Sequence, residues 1–244
     1  MNVEVCSNSI ESVIIANNAG ADRIELCSGL SVGGLSPSKG LIKLALKKSK
    51  IPIHCLIRPR EGHFIYNKND FETILYDVRY MKKMGVAGIV VGMINEDHDV
   101  NSEQLNEVIK EASGLEITFH RAFDCLKDPK KNILKLSSMG VSRILTSGRS
   151  KSAITGINNL IKWKLLSNNF AIKEAFSKSL GLGFRAPCFP KDISVQRDKM
   201  GKPEIFPKNE LEEYMKEKFG NFLIHVSLSD TKKYSIASVI IEKT

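Results

Sequence analysis

No apolar run in this 244-residue chain reaches the roughly 18 residues that a membrane span requires, and the N-terminus carries no signal-peptide core. No two cysteines are spaced CxxC. The five cysteines are odd in number and irregularly placed, which argues against a disulfide framework and for a reducing, cytoplasmic setting. There is no Arg-rich helix and no basic run longer than two residues, so the net charge of +9 does not mark a nucleic-acid-binding face. That charge is mostly lysine and spread over both halves. It fits either a lysine-rich composition or a phosphate-bearing or acidic partner. Neither a nucleic acid nor a membrane is an expected partner.

What is present is a repeating unit. Residues 21–34 read Ala-Asp-Arg-Ile-Glu-Leu-Cys-Ser-Gly-Leu-Ser-Val-Gly-Gly. Arg23, Glu25 and Cys27 alternate with apolar residues as in a strand, and Gly29, Gly33 and Gly34 supply a loop that can approach a ligand closely. Strands are expected at 2–6, 23–27, 51–58, 88–93, 116–119 and 142–146. Helices are expected between them at 9–20, 36–48 (serine cap, proline in its first turn), 70–84, 102–113 and 129–139. Residues 88–93 are nearly all apolar, as in strands buried on both faces of a parallel sheet. About six βα units at regular spacing predict an α/β fold, an incomplete TIM-type (β/α) barrel.

Active groups in such barrels lie at the carboxyl ends of the strands. Those ends carry Glu4 and Cys6, Arg23, Glu25 and Cys27, His54 with Arg58 and Arg60, His120 with Arg121 and Asp124, and Ser147. Arg58 and Arg60 could clamp a carboxylate or phosphate. The set reads either as an internal salt-bridge network or as a converging anion-binding or catalytic pocket. Cys6 and Cys27 hold equivalent places on consecutive strands, so their sulfurs could approach. Two soft thiolates select Cu(I) or zinc, whereas free cysteines also serve as small buried hydrophobes. Cys55 and Cys125 read as packing residues, and His63 and His98 as solvated loop residues.

Several ordered segments carry a family resemblance: Glu4-Val5-Cys6, Gly20 to Cys27, Gly33-Gly34-Leu35-Ser36-Pro37-Ser38, Ile57-Arg58-Pro59-Arg60, Thr118 to Asp124, and Arg143 to Gly148. Through them residues 1–162 resemble the CutC family, labelled copper homeostasis proteins. The resemblance implies a (β/α) barrel and a Cu(I) site at Cys6 and Cys27.

The resemblance ends near Trp163, where two further βα units would belong. Instead come Asn169 to Gly181, Asp192-Ile193-Ser194-Val195, Gly201-Lys202-Pro203, His225 to Asp230 and an alternating stretch over 234–242. These resemble the C-terminal half of holo-[acyl-carrier-protein] synthase, a small trimeric phosphopantetheinyl transferase, and predict a small α+β module over 163–244. The resemblance implies Mg²⁺ and coenzyme A as cofactors, acyl carrier protein as partner and a homo-oligomer. By it, Glu174 is the Mg²⁺ ligand and a catalytic residue, Lys178 the catalytic lysine, and Gly201, Lys202, Pro203, His225 and Ser227 approach coenzyme A. Taken alone, Glu174 and Lys178 are four apart on one helix face, an ordinary surface pair. The family's opening strand with its Gly-Thr-Asp-like motif has no counterpart between Ile154 and Leu165. No Pro/Gly/Ser-rich linker separates the halves.

Three readings stay open at this point. One is a CutC-like barrel fused to a partial synthase, both impaired. Another is an active transferase moving 4′-phosphopantetheine from coenzyme A to a carrier serine. The third is a barrel binding a metal or acting on a small anionic substrate, with the tail covering its open edges.

Overall fold

The computed structural model describes residues 3–230 and 235–244, so Asn2 and Tyr234, expected to open the first and last strands, lie outside the described residues. The chain divides into two compact units, Met1–Leu160 and Ile161–Thr244.

In the first unit β1 (Glu4–Ser7), β2 (Arg23–Leu26), β3 (Ile53–Leu56), β4 (Gly88–Val91), β5 (Glu116–Phe119) and β6 (Arg143–Ile144) form one sheet in sequential order, every neighbouring pair parallel. The sheet curls into an incomplete TIM-type barrel. Between the strands run α1 (Ile10–Asn18), α2 (Lys39–Lys48), α3 (Lys68–Met84), α4 (Ser102–Glu111) and α5 (Pro129–Ser138). Each helix starts where a side chain accepts an otherwise unpaired amide. Ser9, Ser38, Asn67, Asn101 and Asp128 accept from the amides of Ser12, Leu41, Asp70, Gln104 and Lys131. Such caps are worth roughly 1 kcal/mol each.

β4 is buried at all four positions, as its continuous apolar run predicts, and β3 is buried at all four as well. Alternation divides each strand between two faces. Ile24, Leu26, Ile53, Cys55, Ile89, Val91, Ile117 and Phe119 share one, all buried. The register places Glu25 beside Cys6 and His54, and Gly88 beside His54 and Glu116, on the other. That second face also carries a small apolar layer of Cys27, Leu56 and Val90.

Two local differences from expectation have clear causes. The second helix begins at Lys39 with Ser38 as its cap, so Pro37 precedes the helix. Ser36 is held outside it, donating to Asp77 Oδ2 at 2.9 Å and accepting from the Arg58 amide at 3.0 Å. The last strand keeps regular pairing only at Arg143 and Ile144, although the Ser142 and Leu145 amides still reach the carbonyls of Ile117 and Phe119. Beyond Leu145 the chain turns toward Asp124.

The second unit contains most of α6 (Ile157–Ser179), an antiparallel pair β7 (Ile193–Arg197) and β8 (Pro203–Pro207), α7 (Glu210–Phe219), and an antiparallel pair β9 (Phe222–Asp230) and β10 (Ser235–Lys243). It has its own core, with Ile172, Phe176 and Leu180 from α6, Ile193, Ile205 and Val226 from strands, and Leu211 and Met215 from α7. In α7, Glu210, Glu212 and Glu213 open the helix and Lys216 and Lys218 close it, each matching the local sign of the helix dipole. No helix among the described residues is long and apolar enough to cross a membrane.

Candidate functional site

β1 and β2 bring together the first group of expected residues. Glu4 pairs in register with Arg23, and their side chains form an ion pair. Cys6 pairs with Glu25, and Cys27 follows two residues later on the same face. The two thiols act on one another, Cys27 pushing the Cys6 thiol well up and Cys6 drawing Cys27 down. Cys27 is buried and its Sγ also lies 3.8 Å from the Ser7 carbonyl oxygen, whereas Cys6 is exposed. Burial, followed by the neighbouring Cys6 and Glu4, pushes Glu25 up to about 8, so its carboxyl is largely neutral at pH 7. Two neighbouring thiols form a soft donor pair, with an uncharged carboxyl beside them. No group of three or more His, Cys, Asp or Glu side chains among the described residues has metal-holding geometry.

Next to this pair His54 lies in the strand body, 1% exposed, with Nε2 3.3 Å from Glu116 Oε2 but outside hydrogen-bond alignment. Burial, then the charges of Arg23 and Arg143, lower His54 to about 4, so the ring is neutral near pH 7. Glu116 is ion-paired to Arg143. Burial works against its charge, but the hydrogen bond and charge of Arg143 outweigh it and hold the carboxyl below its usual range.

The arginines after β3 do different work from an open clamp. Arg58 donates from Nη1 to the Val32 and Gly34 carbonyl oxygens at 2.8 and 2.9 Å, and from Nη2 to Gly62 at 3.0 Å. Arg60 donates from Nε to Asp70 at 2.8 Å, from Nη1 to the carbonyls of Glu61 and His63, and from Nη2 to Ile65. Most of their donors therefore fold the loops around them. Arg60, His63, Tyr66 and Glu96 border a shallow surface groove here.

His120, Arg121, Asp124 and Ser147 converge at the ends of β5 and β6. Asp124 accepts from the Ser147 amide and hydroxyl, each at 3.1 Å, the Arg149 amide at 3.1 Å, Arg121 Nε at 2.9 Å, and the Thr146 hydroxyl. Burial opposes its charge, yet these donors prevail and keep the carboxyl ionised. Arg121 also reaches Ser147 Oγ at 2.7 Å. Asp124 is thus the hub of a saturated knot that fixes the loop after β6. His120 instead turns inward, with Nδ1 accepting from the Ala122 amide at 3.1 Å.

In the second unit, Lys178 Nζ lies 2.7 Å from Glu174 Oε1 on an exposed face of α6. Gly201 and Lys202 form the turn between β7 and β8, closed by the Asp198 carboxylate on the Met200 and Lys202 amides, and Pro203 opens β8. His225 pairs with Glu242 across β9 and β10 at 2.8 Å, and Ser227 faces Ser238 in register.

Sequence reasoning missed Glu116, Arg143, Phe64 and Tyr66. The first two were signalled by charges opening otherwise apolar strands. Cys55 is buried as expected, His63 and His98 are exposed as expected, and Cys125 is exposed where packing was expected.

The model of the CutC family matches residues 1–172, and the chain belongs to this family. Curated relatives include CutC family proteins of Pasteurella multocida, 45% identical over 156 residues and 64% of each chain, and of Serratia proteamaculans, 43% identical over 155 residues. This chain spans less than two thirds of the length of either relative, 64% and 62%. The crystal structure of the putative copper homeostasis protein CutC from Streptococcus agalactiae is 30% identical, with a TM-score of 0.65 over 69% of this chain and 84% of that one. A holo-[acyl-carrier-protein] synthase from Neisseria meningitidis is 30% identical over 40% of this chain and 70% of that one, at a TM-score of 0.31 that carries no argument.

Proposed function

We propose that the barrel handles Cu(I) for copper homeostasis, with Cys6 and Cys27 together holding one ion. The observation that carries this is the placement of the two thiols on one face of β1 and the end of β2, Cys6 level with Glu25 and Cys27 two residues further on, where each shifts the other's hold on its proton. Cu(I) favours soft sulfur donors. Binding exchanges two S–H protons for one Cu⁺, leaving a bis-thiolate of net charge −1. Glu25, held neutral beside it, adds no second negative charge. Cys6 is exposed, which gives an ion its way in. The thiols require a reducing compartment, and we place the protein in the cytoplasm for that reason.

Anaerobic Cu(I) titration of the full chain against a chromophoric competitor tests the proposal. One equivalent is expected, with affinity falling at least about tenfold in Cys6→Ala and in Cys27→Ala. Unchanged affinity in both variants sinks it.

A second reading concerns the tail, and the adjacency of Glu174 and Lys178 on α6 favours it. In this reading the tail is a partial phosphopantetheinyl transferase. Mg²⁺ supplied by the medium would neutralise the pyrophosphate of coenzyme A. Glu174 would hold that ion, and Lys178 would neutralise the departing phosphate. Gly201, Lys202, Pro203, His225 and Ser227 would line the coenzyme, and acyl carrier protein would offer the serine. With no Gly-Thr-Asp-like motif before it, Glu174 holds the ion weakly, so the fused tail works poorly. Incubation with coenzyme A, Mg²⁺ and apo acyl carrier protein tests this by carrier mass. No mass gain at high enzyme concentration removes the transferase reading without touching the copper one.

A further inference from the structure

Arg58 is a buried cation that no carboxylate answers among the described residues. It is 6% exposed, its Nη groups donate to backbone carbonyls, and its Nε has no partner. Arg60, two residues on, shows the contrast, since its Nε is paired with Asp70. Burying a charge without a counter-ion costs several kcal/mol, so such groups are normally paired.

Two other buried donors nearby also lack acceptors, the hydroxyl of Tyr66, 5% exposed, and Nε2 of His120, 4% exposed. Because His120 Nδ1 accepts from the Ala122 amide, the neutral ring carries its proton on Nε2. Burial, then Arg58, lowers His120 to about 3, and burial pushes Tyr66 up to about 12 against the pull of Arg58 and Arg60. Both are therefore neutral donors around pH 7, and both feel the Arg58 charge. Between Arg58 and His120 lies Phe64, its ring centroid 5.1 Å from Arg58 Cζ and 4.8 Å from the His120 ring. An aromatic face answers a cation only in part. The Phe64 backbone is tied, its carbonyl accepting from the Ile94 amide at 3.0 Å, so any opening here has to come from its half-buried side chain.

We propose that this mouth binds the oxyanion of a small ligand, a carboxylate or phosphate group, on Arg58 Nε, Tyr66 Oη and His120 Nε2, with the Phe64 ring swinging aside to admit it. The set offers only donors and a net positive charge, so it selects an acceptor-rich anion and rejects cations. The inference sharpens the expectation of an anionic ligand at the barrel mouth and does not depend on the dithiol.

Inorganic phosphate and acetate are the probes, titrated into the full chain by calorimetry, with the His120 imidazole followed by ¹⁵N NMR. Saturable binding with a Kd on the order of 1 mM is expected, and the better probe identifies the oxyanion. Phe64→Ala should tighten binding about tenfold by removing the plug, and His120→Gln should weaken it about tenfold and abolish the imidazole shift. Arg58 also pins three loop carbonyls, so the Phe64 and His120 variants carry the test. Cu(I) affinity should be unchanged in both, which separates this site from the dithiol. Absence of saturable binding to wild type and Phe64→Ala up to about 50 mM overturns the proposal. So does binding that His120→Gln leaves unchanged.

Discussion

The ring of His54 lies across the backbone of Gly88: a Cβ built on Gly88 would stand 2.5 Å from His54 Cε1 and 2.6 Å from the Glu116 carbonyl oxygen. The missing side chain on β4 is what lets a residue of β3 reach toward Glu116 on β5. Gly92 repeats the device four residues later, where a Cβ would stand 2.4 Å from His120 Nδ1. β4 and the residue just past its end therefore make room for both buried imidazoles.

Gly88→Ala should destabilise the protein by about 1–3 kcal/mol, since ring or backbone must shift to admit the methyl. Gly40→Ala in α2 is the control. Its Cβ meets nothing within 4 Å, and the change should stabilise by about 0.5–1 kcal/mol. Urea denaturation of both variants measures the contrast.

Acidity should act on two buried groups in opposite senses. His54, lowered to about 4 from 6.5, stays neutral in the fold while the unfolded chain takes up a proton. Its contribution to stability is present above 6.5 and is lost as pH falls from 6.5 toward 4. Glu25, raised to about 8 from 4.5, keeps its proton in the fold while the unfolded chain ionises. Its contribution is present below 4.5 and is lost as pH rises toward 8. Glu25→Gln should therefore gain stability relative to wild type between pH 4.5 and 8, by up to a few kcal/mol. Chemical denaturation across that range reads it, and parallel curves for the two proteins would refute the assignment.

Asp124→Asn keeps the shape of the side chain but replaces an acceptor-only group with one that must also donate. All five bonds to Asp124 lose their charge assistance and at least two of the donors lose their acceptor, so a cost of about 2–4 kcal/mol is expected. Amide hydrogen exchange should accelerate first at Ser147 and Arg149. Uniform acceleration across the sheet would show that the knot is not a local anchor.

How much of this was legible in the chain depends on where the partners sit. The run over 116–119 and the apolar stretch over 88–93 declared their strands because a strand's two faces are written into adjacent residues. Cys6 and Cys27 were expected at equivalent places on consecutive strands, but the register sets Cys6 level with Glu25 and Cys27 two residues further along the same face. The arginines after β3 were harder. Most of their guanidinium donors go to carbonyls, the farthest 26 residues away, and a carbonyl has no letter in the sequence. Gly88 and Gly92 escaped notice for a similar reason. Their role is to be absent, and it appears only once the rings of His54 and His120 are in place. The short β6 was overread because Thr146, a good strand residue by pattern, is drawn with the following Ser147 to Asp124.

The knot around Asp124 has one more support, a direct contact between two stretches of bare backbone. A Cβ on Gly148 would stand 2.4 Å from the Gly156 carbonyl oxygen, and one on Gly156 would stand 1.9 Å from that of Ser147. Every amino acid other than glycine brings that carbon. At these two codons no missense change is conservative, and a genetic screen for loss of the fold should recover substitutions there whatever residue the new codon encodes.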